Sequence, residues 1–542
     1  METKKNAIIA VLLLSALTAF WMLSRRTLDS HECFVSVTAR EMLQSGDWVL
    51  PTCNGELRIN KTPLSYWLVG IAAKVTGKVD EFTARLPNAI FAILSAATIL
   101  YFVNRMLTLR IAVISAAVWA TSLAYIRCAH SARPDMALTF FVTLCLLSFY
   151  SAINAENRRR QIIYALVFWI SFALGNLAKG PAPVPFVLIP LVCYVVIFRQ
   201  WKLLLKLLPI AGPIIFLVIV LPWPLAIAQR VNWDLLVWKR EFIDRLFGDY
   251  VPGHFPFYYY LGIMFKYVTP WVFFLPLALA APFYSAWNKK QPVMRFLWIW
   301  FVISLAFLTA DACKRQHYIL PLMPAMAILI GILLEDMAFT QNGYTKDFAK
   351  NILKGHAIII IAGTLGTAIY LTVTKPQFLV PVVLLGIVTI TASLFVILLF
   401  AKGKPAPACA AVFAGITIWF MIAYPCFLPF LDVDRPSRDF AEKVAHIVPQ
   451  SEKLIAYKAA SSRFVQYFGK VVPLIEDKSA LYEHYQRGDW IIAISPYFEE
   501  LNQADFQLRK IYFKEGFSDE GKEDSRGALF HKSASPVQNS SH

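Results

Sequence analysis

Two groups of ionisable residues stand where an apolar chain does not place charge without reason. The first fills the stretch from Thr27 to Arg85, directly after an apolar run. There Asp29, His31, Glu32, Arg40, Glu41, Asp47, Arg58, Lys61 and Arg85 are interleaved with Trp48, Tyr66 and Trp67. The second group, Arg133, Asp135, Lys179, Asp311, Lys314 and Arg315, sits at the ends of later apolar runs. Ionisable groups at membrane depth are costly and usually mark a site. Carboxylates and imidazoles can take a proton, and lysines and arginines can hold developing negative charge. A cap over a helix bundle would explain a polar loop, but not both charge signs clustered with aromatics.

The elements that must carry these residues follow from composition. Of 542 residues, 58% are hydrophobic and 16% charged. A membrane span needs about 20 predominantly apolar residues. Such runs fall at 7–23, 84–104, 111–127, 136–153, 162–178, 182–199, 207–228, 257–286, 293–309, 317–335, 355–374, 378–401 and 407–430. The expectation is an all-α polytopic membrane protein of about thirteen transmembrane helices. The first run ends in Leu23-Ser24-Arg25-Arg26, a poor cleavage site, and reads as an uncleaved span. Within the first loop, Phe34, Val37 and Met42, and then Leu64, Trp67 and Leu68, recur at helical spacing and suggest interfacial helices.

Placing the N-terminus in the cytoplasm puts Arg105/Arg110, Arg158/Arg159/Arg160, Lys202/Lys206, Lys289/Lys290 and Lys402/Lys404 inside, as the positive-inside rule prefers. Arg133, Lys179, Lys314 and Arg315 then oppose that rule, on the outer face that also carries the first loop. So does the segment Gln229 to Phe255, with Lys239, Glu241, Asp244 and His254. Together they describe one outer polar cavity, basic overall, containing a few carboxylates.

After Leu431, short apolar strands (453–458, 471–475, 490–495, 510–513) alternate with helical stretches such as 437–447. The expected organisation is a transmembrane domain over 1–431 including the first outer loop 24–83, a small α/β periplasmic domain over 432–530, and a disordered tail over 531–542. The net charge of +17 is spread singly between apolar runs, which suits topology and anionic lipid, not nucleic acid. None of the eight cysteines has metal-ligand spacing. Cys33 and Cys53 share the first outer loop, and a disulfide between them is expected if that compartment is a periplasm.

Several stretches resemble the aminoarabinose transferase/protein mannosyltransferase-like family, GT-C fold glycosyltransferases that use polyprenyl-phosphate-linked sugars. They are His31 to Trp48 (HECFVSVTAREMLQSGDW), Asn60 to Trp67 (NKTPLSYW), Phe82 to Pro87 (FTARLP), Arg133-Pro134-Asp135 and Ala178-Lys179-Gly180. Leu221 to Arg230, His254 to Tyr260 and Lys314 to Pro324 (KRQHYILPLMP) extend the likeness, which covers residues 1 to about 335. Departures are informative. Relatives carry an Asp-Glu pair where this chain has His31-Glu32, and Glu where it has Asn60. In some relatives that Glu forms a metal site with a histidine of the second long outer loop. Here His254 would stand alone, so no cofactor is assigned and a divalent metal finds weak warrant.

The resemblance implies an inverting transferase of the bacterial inner membrane, moving a sugar from a polyprenyl-phosphate donor to lipid A, another envelope glycan or a protein. Lys61 and Lys179 would hold the donor phosphate, with Arg85, Lys314, Arg315, Tyr318 and His31 as further substrate contacts. Glu32, Asp135 and Asp29 are the candidate catalytic carboxylates: a base for a hydroxyl acceptor, or a sugar contact if the acceptor is a phosphate. Two other classes stay in view. A transporter or flippase of lipid-linked sugars predicts repeated halves and broken midplane helices, and no repeat is seen. A structural subunit with a periplasmic module leaves the loop motifs unexplained.

Overall fold

The structure is a computed structural model and describes residues 2–231, 238–239, 244, 255–284, 290–340, 366, 369–370, 378–494, 497–502, 509–514 and 527–532. The chain divides into two compact units. The first comprises 1–23, 60–64 and 85–427; the second comprises 24–59, 65–84 and 428–542. The first outer loop, assigned by sequence to a domain over 1–431, is therefore split: most of it belongs with the C-terminal residues.

The first unit is helical. Among the described residues eight helices are long and apolar enough to cross a membrane, or ten if two bent pairs count as spans. The expected thirteen spans are matched only in part among these residues. The run at 111–127 is Leu109–Ala120 followed by Leu123–Ala129, bent by 58°, and the run at 257–286 is a pair bent by 116°. The run at 182–199 holds only the 15-residue helix Pro183–Ile197. Most of 355–374 lies outside the described residues. The two bends occur where small polar residues and proline interrupt the apolar pattern, and each supplies partners to the other. The backbone N–H of Leu123 donates to the Thr269 carbonyl at 2.9 Å, and Trp271 Nε1 donates to Thr121 Oγ1 at 3.2 Å. Broken backbone at membrane depth persists only where such partners exist.

The pattern of each helix fixes its depth. Asp135–Ile153 is apolar on all sides and buried along most of its length, as expected for a helix surrounded by others. Leu379–Ala401 and Pro405–Leu431 are as apolar but bury about a fifth of their most apolar window, 22% in each case, so lipid is their natural neighbour. Close approach is made by small residues. A Cβ on Gly331 would lie 2.7 Å from Ser115 Cα, so only glycine fits. Trp119 Nε1 is satisfied by Ser95 Oγ at 2.7 Å.

In the second unit the helix Ser30–Ser45 starts with a capping box. Asp29 accepts the Glu32 N–H at 2.9 Å, Glu32 accepts the Asp29 N–H at 3.0 Å, and the helix stops at Gly46 with φ 72°. The short strands β1 (Thr52–Cys53) and β2 (Glu56–Leu57) form a hairpin over Asn54-Gly55, both at positive φ. Asn-Gly is the pair that such a two-residue turn favours. The buried carboxylate of Glu41 holds it by accepting from Thr52 Oγ1, Asn54 N and Gly55 N at 2.7, 2.7 and 3.2 Å. Asn54 in turn bonds both the N–H and the carbonyl of Val472.

The C-terminal residues add β3 (Leu454–Tyr457), β4 (Leu474–Ile475), β5 (Trp490–Ile494), β6 (Arg509–Lys514) and β7 (Gly527–His531), in sheet order β4-β3-β5-β7-β6. β3 is parallel to β4 and β5; β7 is antiparallel to β5 and β6. Alternate residues enter different cores: Leu454, Ala456, Ile492 and Leu529 pack with Phe440 and Val444, while Tyr457, Ile491, Ala493 and Phe530 pack with Leu481 and Leu501. A sheet covered on both faces needs apolar residues at successive positions, which is why these strands read as short continuous runs. β7 is not among the strands marked by sequence.

Cys33 and Cys53 are thiols and are not joined as a disulfide. Cys33 points to the Leu28 carbonyl inside the helix start, and burial pushes the Cys53 thiol above its ordinary value. The expected bridge is therefore corrected.

Candidate functional site

The first unit brings together residues from three stretches that the sequence keeps far apart. Pro134 sets the first turn of the Asp135–Ile153 helix, so Asp135 enters at its N-terminus, where the helix dipole favours a carboxylate. Lys179 is the last residue of the Arg158–Lys179 helix, which ends at Gly180. These helices pack side by side, and Lys179 Nζ donates to Asp135 Oδ1. The third stretch is the turn Gln316–Leu322. It places His317 Nε2 3.9 Å from Asp135 Oδ2 and sets the Tyr318 ring 4.5 Å from Lys179 Nζ. Arg133 closes the group: its guanidinium approaches His317 Nδ1 at 3.5 Å. The loop carrying Arg133 and Asp135 is tied by Asn88 Nδ2, which donates to the carbonyls of Ser131 and Arg133, both at 2.5 Å.

Lys61 is carried by a segment that meets the one bearing Lys179. Its neighbour Thr62 accepts the N–H of Gly180 at 3.0 Å through Oγ1, so the segments bearing Lys61 and Lys179 run together. Thr62, Asn176 and Gly180 also wall a cavity of about 450 Å³, mostly apolar, lined as well by Trp223 and Trp238. Those indoles stack with ring centroids 6.0 Å apart and planes at 20°.

The remaining candidates fall elsewhere. Arg85 is fully buried and donates to the Leu23 carbonyl at 3.0 Å, tying the end of one apolar run to the next helix; that leaves it no exposed surface for a substrate. Lys314 is buried and donates to the Asp311 carbonyl at 2.5 Å, while burial raises the Asp311 carboxyl above its usual range. Arg315 is exposed, and its backbone N–H meets Tyr260 Oη at 3.3 Å. In the second unit Asp29 and Glu32 form the capping box, and Arg26 approaches Glu32 at 3.3 Å, so Glu32 is fully buried. His31 is exposed, its ring 6.4 Å from that of Phe34. His254 lies outside the described residues, among which no cluster of three metal-ligating side chains occurs.

His317 is the residue that sequence reasoning missed. The available signal was its place in the Lys314–Pro324 stretch, two residues after a cation on the wrong side of the membrane.

Comparison with known proteins gives three findings. A family model described as dolichyl-phosphate-mannose-protein mannosyltransferase matches residues 34–233. The undecaprenyl phosphate-alpha-4-amino-4-deoxy-L-arabinose arabinosyl transferase of Yersinia pestis (strain Pestoides F) is 29% identical over 354 residues, 63% of this chain and 62% of that protein. The chain thus spans about three-fifths of the length of that transferase. A protein of Aquifex aeolicus is 27% identical over 78% of both chains. In fold, the crystal structure of ArnT from Cupriavidus metallidurans bound to undecaprenyl phosphate is similar over 97% of this chain and 98% of that one, with a TM-score of 0.83 at 19% identity. In its charged loop and early helices the chain is similar to mannosyltransferase- and aminoarabinose transferase-like membrane proteins, and along nearly its whole length it shares the fold of ArnT.

Proposed function

We propose that the protein is an inverting membrane glycosyltransferase that moves a sugar from a polyprenyl-phosphate donor to a periplasmic acceptor: lipid A, another envelope glycan or a protein. The observation that carries this reading is the Asp135–Lys179 pair; the residues that follow Lys61 and Lys179 in sequence, Thr62 and Gly180, are bonded to each other and line an apolar cavity. A lipid-linked sugar phosphate has the complementary form: an apolar tail for the Trp223–Trp238 cavity and an anionic head for the lysines. The names of the arabinosyl transferase relatives support the same donor class.

In the reaction, an acceptor oxygen attacks the anomeric carbon as the bond to the phosphate oxygen breaks, and that electron pair remains on the polyprenyl phosphate. Single displacement inverts the anomeric configuration. Lys61 and Lys179 stabilise the charge left on phosphate, in a site where fixed donors count for more than in water. With a hydroxyl acceptor, Asp135 accepts its proton. Glu32 and Asp29 were read from sequence as further catalytic carboxylates; their capping bonds support a structural role instead. Orientation follows the charge bias, with the N-terminus cytoplasmic and both the site and the C-terminal residues periplasmic. No observation favours the transporter reading.

Purified protein supplied with a polyprenyl-phosphate sugar and membrane acceptors tests this. Release of polyprenyl phosphate together with a product of opposite anomeric configuration is expected; intact donor after exhaustive incubation overturns it. Reporter fusions after Arg160 and after Phe440 should read cytoplasmic and periplasmic respectively.

A further inference from the structure

The transfer chemistry proposed above uses Asp135 and the lysines; it leaves His317 without a task, although the imidazole sits between an arginine and that carboxylate. Its two nitrogens are not equivalent. Arginine has donors only, so the approach of Arg133 NH1 to Nδ1 at 3.5 Å is attractive only when Nδ1 carries a lone pair. The ring proton of the neutral imidazole then belongs on Nε2, the nitrogen that faces Asp135 Oδ2 at 3.9 Å. Asp135 Oδ1 is already taken by Lys179. Each carboxylate oxygen thus faces a different donor, and the donor on the second oxygen is fixed by a guanidinium behind it.

We propose that His317 is the positioning residue for Asp135: a neutral imidazole, locked by Arg133 in the Nε2–H tautomer, that orients the carboxylate toward the reacting centre. This rests on the transferase reading. The separation of 3.9 Å is longer than a hydrogen bond, the usual state of catalytic contacts before substrate tightens them. The groups facing the ring are Arg133 and Asp135 at the start of one helix, Lys179 at the end of the next, and Tyr318, whose ring lies edge-on at 5.0 Å. Protonating Nδ1 would turn an N–H against the Arg133 guanidinium and add a third cation beside Arg133 and Lys179. The Nε2–H would remain, but repulsion between Arg133 and the charged ring would displace it, and with it the alignment of Asp135. The inference therefore carries a direction in pH: turnover falls on the acid side as His317 gains its second proton.

The test uses the full-length protein in lipid nanodiscs with a polyprenyl-phosphate sugar donor, measuring kcat and donor KM across pH with thermal unfolding as a control. Wild type should lose kcat toward acid pH. His317→Gln keeps a donor and an acceptor on one planar head but does not titrate. It should hold neutral-pH kcat within about threefold and flatten the acid limb. His317→Ala should lower kcat on the order of ten- to a hundredfold, the scale of a misoriented reacting group, with donor KM little changed. An acid limb unchanged in His317→Gln, or a wild-type kcat in a folded His317→Ala, overturns the proposal while leaving the transferase reading in place. If His317→Ala fails to fold, the limb in His317→Gln decides alone. Wild type that transfers nothing from any such donor overturns the transferase reading, and this proposal with it.

Discussion

The backbone N–H of Gly180 donates to Thr62 Oγ1 at 3.0 Å across 118 residues of sequence. Each partner is the immediate neighbour of a lysine, Lys179 and Lys61, so one bond registers two cations against each other. Thr62 is buried, which makes the bond costly to lose. Thr62→Val keeps the shape and removes the acceptor. It should cost about 1–3 kcal/mol, the penalty for a buried N–H left unpaired, and raise donor KM more than it lowers kcat. Thr62→Ser should behave as wild type. A Thr62→Val protein with unaltered unfolding and donor KM would show that the two segments need no such tie.

The Asp135–Lys179 pair separates stability from chemistry. The side chains are 5% and 21% exposed, so removing one partner strands a largely buried charge. Lys179→Met alone should destabilise by about 3–5 kcal/mol. Adding Asp135→Asn should recover much of that loss without restoring any transfer. Asp135→Asn alone should abolish transfer to a hydroxyl acceptor while donor still binds. Differential scanning fluorimetry of the three variants beside a turnover assay checks this; full turnover in Asp135→Asn would exclude the carboxylate from the reaction.

Glu41 is a structural carboxylate by its contacts. Its oxygens hold the hydroxyl of Thr52 and the N–H groups of Asn54 and Gly55, all in the β1–β2 hairpin. Glu41→Ala should destabilise the second unit by about 2 kcal/mol or more, since bonds to a charged group are the strong ones. Protease cleavage at Asn54-Gly55 in the native protein should rise in parallel. An uncleaved hairpin with wild-type stability would mean that Asn54 and Val472 hold it unaided.

Thiol chemistry reports on the first loop. Burial is the largest cause of the raised Cys53 pKa, opposed by the nearby Arg58 guanidinium. At pH 8 a single-cysteine variant should label with maleimide more slowly folded than unfolded, and its rate should keep rising beyond the ordinary thiol value of 9.0. A thiol whose folded pKa is raised favours folding while protonated. That contribution is complete below the unfolded value and is lost as pH rises through the folded one. Denatured, unreduced protein should show reactive thiols at both Cys33 and Cys53; a protected pair would restore the disulfide.

Much of this protein is written in local pattern. Length of apolar run sets most of the spans, because a bilayer demands a fixed stretch of apolar chain. The misplaced cations Arg133, Lys179 and Lys314, together with Asp135, point to a site, because charge at membrane depth is rare without a purpose. Strand β3 and strand β5 show as short apolar runs for a similar local reason. Tertiary structure decided which of the charged residues meet. Arg85 stands in sequence as a further substrate contact beside the phosphate-binding Lys179, yet Arg85 turns to the Leu23 carbonyl while Lys179 turns to Asp135. Asp29 and Glu32 look like catalytic carboxylates until the capping geometry of their helix is seen. His317, one ring in a dense aromatic and basic stretch, acquires meaning only from an arginine 184 residues away. Pairing across such distances is settled by helix packing, which brings side chains together through contacts that no local spacing encodes.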